Sequence, residues 1–249
     1  KKFQNFSVKQ MLIAVFKILY MDTKRLLRNS RKKGSYRLYG WLPSVVRKVS
    51  NYKYVKSISV KPDDICTMEY IYFPLHLEPE IALLWFSPEF SNSMEIVSWI
   101  SKSLPANAAI VIKEHGQSFS VRSRWYYKQL NKIANVYWAD PDIHSWDWIK
   151  NSKAVATITG TVGIEAIYMN KPVISFGKHQ LINYLPSTIY ASNYWETEKA
   201  VKAFFSNGGI NDNILLRSKH ALHKTQTMDS FELVGYKNSY KKDQLDLKM

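Results

Sequence analysis

Cysteine is all but missing from this chain: Cys66 stands alone. One thiol excludes a disulfide framework or a cysteine-based metal site within the chain, and makes a reducing compartment the expectation. Long hydrophobic runs are missing as well. The most apolar early stretch, MLIAVFKILY from Met11 to Tyr20, carries Lys17 and is too short to span a bilayer. It lacks the small-residue cleavage site of a signal peptide. Several catalytic signatures are also absent: no HExxH, no P-loop, no GxGxxG and no GxSxG elbow. Negative charge is scarce, with 20 acidic against 35 basic residues and a formal net charge of +15.

A basic excess of that size suits acidic partners such as anionic membrane, phosphorylated substrates or nucleic acid, and it also serves plain solubility. The basic residues crowd into residues 1–60, where no recognised nucleic-acid motif accompanies them, so nucleic acid is not the expected partner. This region reads as a basic helical arm. An amphipathic helix is expected from a Ser7 cap to Gly34, and a second short helix after Pro43. Such an arm could lie on anionic lipid or pack on another domain.

From Met68 onward the pattern changes to strands alternating with helices. MEYIYFPLH, AAIVIKEH, NVYWAD, KAVATITG and KPVISFG read as strands. SNSMEIVSWISKSLP, SRWYYKQLNKIA, DIHSWDWIKNS and TVGIEAIYMN read as the helices between them. Ser91 or Ser93 is the expected cap of the first helix. Two further helices follow, NYWETEKAVKAFFSNGG and NDNILLRSKHALHKTQ, and the tail 236–249 is polar. Alternation at this spacing predicts βαβ units, and so a Rossmann-like α/β domain over 61–235 with a parallel sheet covered on both faces. Ligands bind such sheets beyond the carboxyl ends of the strands. That rule picks out His76, Glu78 and Glu80; Glu114 and His115; Asp140 and Asp142; Thr159, Gly160 and Thr161; and Gly177 and His179.

Thr159-Gly160-Thr161-x-Gly163 ends a strand and opens a helix. Backbone amides at a helix start favour an anion, glycines permit close approach, and the two threonines add hydroxyls. Glu165 follows within about a turn, where a carboxylate could accept the hydroxyls of a ribose. The same residues would also serve if the glycines merely allow tight strand–helix packing and Glu165 caps the helix. His76, Glu78 and Glu80 could supply a general base or acid, or form a solvated turn. No metal is expected there, because further ligands would have to come from scattered positions. His115 could donate to a phosphate or hold a base, and Lys113 could neutralise phosphate.

YIYFPLHLEPE, VIKEHG and TITGTVGIEAIYMNKPVISFG, in that order over roughly 68–190, resemble bacterial capsule and surface-polysaccharide biosynthesis proteins related to Kdo transferases. The resemblance implies a GT-B glycosyltransferase fold, with this chain supplying the C-terminal half that holds a nucleotide-sugar donor, such as a CMP-linked acid sugar. It also implies a glycan or lipid-linked glycan acceptor, a cytoplasmic site at the inner membrane, and an acceptor domain that residues 1–60 do not provide. By motif, Glu114 and His115 would lie by the nucleotide, Thr159, Gly160, Thr161 and Gly163 by phosphate, Glu165 by ribose, and His76, Glu78 and Glu80 along the cleft. Gly116 stands where the family usually has proline. Two other readings keep the fold: a sugar epimerase or polyol-phosphate transferase, and a non-catalytic scaffold.

Overall fold

The computed structural model describes residues 16, 20, 38–77, 87–90, 92–206 and 210–225. Its centre is a seven-stranded, all-parallel sheet. In chain order the elements are α1 (Leu38–Ile58), β1 (Ser59–Val60), β2 (Glu69–Pro74), α2 (Ser93–Ser103), β3 (Ala108–Lys113), α3 (Arg124–Leu130) and β4 (Val136–Ala139). Then follow α4 (Ser145–Asn151), β5 (Ala154–Thr157), α5 (Val162–Tyr168), β6 (Val173–Ser175), β7 (Thr188–Tyr190), α6 (Tyr194–Phe205) and α7 (Asp212–Thr225).

The spatial order is β1-β4-β3-β2-β5-β6-β7. From β4 to β7 this is the doubly wound Rossmann order: the chain moves outward from β2 through β3 to β4, then returns to the centre at β5 and moves outward the other way. The reversal lies between β2 and β5, where Ile71 pairs with Ala154 and Tyr72 with Val155. The expected Rossmann-like sheet is therefore present, with β1 added outside β4.

Alternation along the strands divides the core in two. Ile71 and Phe73 of β2 join Ile110, Ile112, Trp138 and Ala156 on one face, beneath α1, α2, α3 and α6. Tyr70 and Tyr72 join Val111 and Val155 on the other, beneath α4, α5 and α7. Each fully buried aliphatic side chain there stabilises the fold by roughly 1.5 to 3 kcal/mol.

Three local expectations change. Helix α1 starts at Leu38 and runs through Pro43 instead of beginning after it. Packing over the following turns outweighs the one backbone bond that proline forfeits: Val55 is fully buried in the core, and Asn51 is 2% exposed. Asn92, not Ser91 or Ser93, caps α2, its side chain accepting from the Met94 amide. Strands β1 and β7 were not foreseen. The sheet also reaches back into the segment read as an arm, since β1 pairs with β4 at Ser59↔Trp138 and Val60↔Ala139.

Helix α1, which precedes β1, is fastened too. Asn51 donates to the carbonyls of Phe119 and Arg122, both at 2.9 Å. Lys56 pairs with Asp140 and Asp142 at the end of β4, and Tyr52 donates to Asp142. The Tyr52 hydroxyl is pushed up to about 12, by burial first and then by Asp142. Of the helix expected between Ser7 and Gly34, Phe16 and Tyr20 are helical and exposed; its other positions, and the tail 236–249, fall outside the described residues. No described helix is long and apolar enough to cross a membrane.

Candidate nucleotide-sugar site

At the β2–β5 switch point the loop after β2 (Leu75, His76, Leu77) lies against the turn after β5 (Ile158 to Thr161). His76 and Thr159 meet here: the Thr159 amide donates to His76 Nε2 at 3.0 Å. An imidazole nitrogen that accepts an amide proton is unprotonated, so the ring proton sits on Nδ1. Nδ1 is buried without a well-formed hydrogen bond, although the Pro74 backbone acts on it as an acceptor and favours the protonated ring. His76 as a whole is 8% exposed. Burial, then the charges of Arg122 and His115, hold its pKa down to about 4.

The turn satisfies a second amide internally, since Gly160 N–H donates to Thr157 Oγ1 at 3.1 Å. Neither bond engages the amides of Thr161 or Val162, and the Thr161 side chain makes no cap bond to α5. The two glycines differ in purpose. A Cβ on Gly160 would come within 3.1 Å of Thr157 Oγ1 and 3.3 Å of His76 Nε2, so it faces the His76 ring. A Cβ on Gly163 would lie 2.5 Å from Ile182 Cδ1 and 3.2 Å from Thr157 Cγ2; this glycine lets α5 seat closely on β5. Gly177, after β6, is tighter still, with an added Cβ only 2.1 Å from the Ile158 carbonyl oxygen.

Glu165 does not cap its own helix. Its Oε2 accepts the indole N–H of Trp146 at 2.8 Å, linking α5 to the start of α4. Trp146 in turn meets His144 edge-on, with ring centroids 5.2 Å apart, and His144 caps α4 through Nδ1.

Lys113 and Glu114, adjacent in sequence, leave β3 toward opposite faces, as strand geometry requires. Lys113 donates to the Ile143 carbonyl in the loop between β4 and α4. Burial lowers its pKa to about 8, against the upward pull of Asp140, Asp142 and Asp147. Glu114 turns the other way and is buried against Arg122, with Nη1 to Oε1 at 2.6 Å. Burial pushes the Glu114 carboxyl up, while Arg122 and the His115 amide pull it back. His115 itself is exposed at the rim, its Nδ1 facing the Gln117 amide.

The structure thus brings His76, Thr159 and Gly160 together at the centre, with Glu114 and His115 on one side and Thr161 and Glu165 on the other. Lys113 serves the neighbouring loop. Glu78 and Glu80 lie outside the described residues. Among the described residues no cluster of histidine, cysteine, aspartate and glutamate could hold a metal ion. Sequence reasoning missed Arg122 and Trp146. The available signal was weak: an arginine eight residues after Glu114 and a tryptophan nineteen before Glu165.

A family model described as capsule polysaccharide biosynthesis protein matches residues 27–181, more than half of the chain. The chain belongs to that family. No curated protein matches this member of the capsule polysaccharide biosynthesis family. Among solved structures it is similar to the beta Kdo 2,7 transferase of Thermosulfurimonas dismutans KpsC, at 18% identity over 82% of this chain and 69% of that one, TM-score 0.42. HepE of Anabaena, solved in complex with UDP-glucose, matches at 13% identity over 70% and 48%, TM-score 0.47. The UDP-GlcNAc 2-epimerase of Methanocaldococcus jannaschii, solved with UDP-GlcNAc and UDP, matches at 15% identity over 81% and 58%, TM-score 0.43. The capsule-family chain spans between 41% and 48% of the length of the first three solved structures it matches.

Proposed function

We propose that this chain is the donor-binding half of a glycosyltransferase that uses a nucleotide-activated sugar in surface-polysaccharide synthesis. The observation that carries the reading is the position of the Thr159-Gly160-Thr161 turn, at the switch point of a doubly wound sheet, in a member of the capsule biosynthesis family. In this reading the donor phosphate meets the Thr161 hydroxyl and the amides of Thr161 and Val162. Glu165, held by Trp146, accepts the ribose hydroxyls. Preorganised donors of this kind favour the negative charge that builds on a departing nucleotide. His115 lies at the rim to assist, and no metal takes part.

His76 shapes the turn and does not act as general base, because its Nε2 lone pair is occupied and its Nδ1 is buried. The base then comes from Glu78, Glu80 or the acceptor half of the enzyme. Lys113 orients the β4–α4 loop. Basic residues before position 60 other than Lys56, which Asp140 and Asp142 engage, hold the enzyme against anionic lipid at the cytoplasmic face of the inner membrane, near a glycan or lipid-linked glycan acceptor.

The test is a calorimetric titration and thermal-shift series with CMP, a CMP-linked acid sugar, UDP-sugars and CDP-glycerol. Saturable stabilisation by the CMP compounds is the expected result. Preference for a UDP-sugar would replace the CMP-linked donor, and product analysis would then separate a transferase from an epimerase; preference for CDP-glycerol would move the assignment to a polyol-phosphate transferase. A second reading, a non-catalytic scaffold, draws on the two turn amides already bonded within the protein; it is the conclusion if no nucleotide gives a shift.

A further inference from the structure

Four segments are tied together at and beside the switch point: α1, the loop after β2, the loop after β3 and the turn after β5. A single line of hydrogen bonds joins them. Asn51 of α1 donates to the Arg122 carbonyl at 2.9 Å. The Arg122 guanidinium donates through Nη2 to the His76 carbonyl at 2.7 Å, and through Nη1 to Glu114 at 2.6 Å. His76 then accepts from the Thr159 amide. The arginine is buried, with its side chain 4% exposed, and lies 4.6 Å from the Tyr126 ring centroid. Asn51 is itself braced, accepting from Arg124 Nε at 3.0 Å.

A buried charge pair is weak evidence for stability alone, since its desolvation cost offsets most of its attraction. What a planar guanidinium offers that an apolar side chain does not is direction: two parallel prongs, each aimed at a fixed acceptor. Here one prong grips the loop after β3 and the other grips the backbone of the residue whose ring supports the β5 turn.

We propose that Arg122 is a positioning residue: through its bond to the His76 carbonyl it sets the ring that fixes the Thr159 turn, and Asn51 carries this hold back to α1. The assignment borrows its purpose from the nucleotide-sugar reading, but its geometry is tested without nucleotide. Two chains are compared with wild type. Glu114→Gln keeps an acceptor for the arginine. Glu114→Gln combined with Arg122→Met removes the arginine without stranding a buried carboxylate, which keeps the variant folded.

Histidine nitrogen NMR reads the His76 tautomer, and hydrogen exchange reads the Thr159 amide. Wild type and Glu114→Gln should show the neutral Nδ1–H tautomer and a protected Thr159 amide. In the double variant His76 should lose its single tautomer and Thr159 should exchange about tenfold faster, the scale of one lost charge-assisted bond, while β6 and β7 stay protected. Arg122→Lys, with one point-like donor group, should fall between the two. A double variant or a lysine variant that keeps the wild-type tautomer and wild-type Thr159 protection overturns the proposal. Absence of nucleotide binding by wild type would defeat the donor-site reading and leave these measurements standing.

Discussion

Trp146 and Glu165 face each other across the gap between α4 and α5, the indole N–H 2.8 Å from the carboxylate. The bond fixes one carboxylate oxygen and orients the other. Glu165→Ala should therefore weaken nucleotide binding about tenfold or more, the worth of one or two hydrogen bonds to a charged group. Trp146→Phe, which loses only the orienting bond, should weaken it less. Isothermal titration with the nucleotide that stabilises wild type measures both. Equal affinity of Glu165→Ala and wild type would remove Glu165 from the site.

The buried His76 gives stability a pH dependence with a definite sign. Its folded pKa of about 4 lies below the ordinary 6.5. Between those values the unfolded chain binds the proton and the native chain does not, so this contribution is complete above about pH 6.5 and is lost as the pH falls toward 4. The span corresponds to about 3 kcal/mol. Urea unfolding at pH 7 and at pH 4 should show that loss in wild type. His76→Gln, whose amide oxygen still accepts from Thr159, should lack that share of the slope.

Gly177→Ala should destabilise more than Gly163→Ala. At Gly177 the new methyl meets a backbone carbonyl, which cannot move without shifting the turn after β5. At Gly163 it meets the end of Ile182, a side chain that can rotate away. Overpacking costs of about 3 kcal/mol for the first and about 1 kcal/mol for the second are expected, read as the difference in urea midpoints.

Lys56→Ala should loosen α1 from the end of β4. It removes the ammonium that contacts both Asp140, whose side chain is 5% exposed, and Asp142. Asp140 is left without its cation, and a cost of about 1 to 2 kcal/mol follows. Hydrogen exchange should rise first at β1 and the C-terminal turns of α1, with β5 and β6 unchanged. A uniform rise across the sheet would contradict this.

The alternation of strands and helices was readable in the sequence because β2, β3 and β5 are buried on both faces and so appear as nearly unbroken apolar runs. Strands β1 and β7 were not: they span two and three half-buried residues, too short for any period to show. The rule that ligands gather at strand ends pointed to His76, Thr159 and Glu114 before any coordinates. It could not show that His76 bonds to Thr159 across 83 positions, nor that Arg122 joins the two loops, because such pairings arise only once the sheet brings the strand ends together. Lys113 shows the opposite limit. Its charge suggested a phosphate partner, and the pleat instead sends it to the β4–α4 loop, away from the face that Glu114 takes.

Two residues, Ser59 and Val60, carry more weight than their number suggests. Without them β4 would become the border of the sheet on that side, presenting an unpaired row of amides and carbonyls to any passing extended chain. A fragment cut just before Lys61 would lose α1 along with β1, so its clumping would combine this uncovered margin with the core face that Val55 had filled.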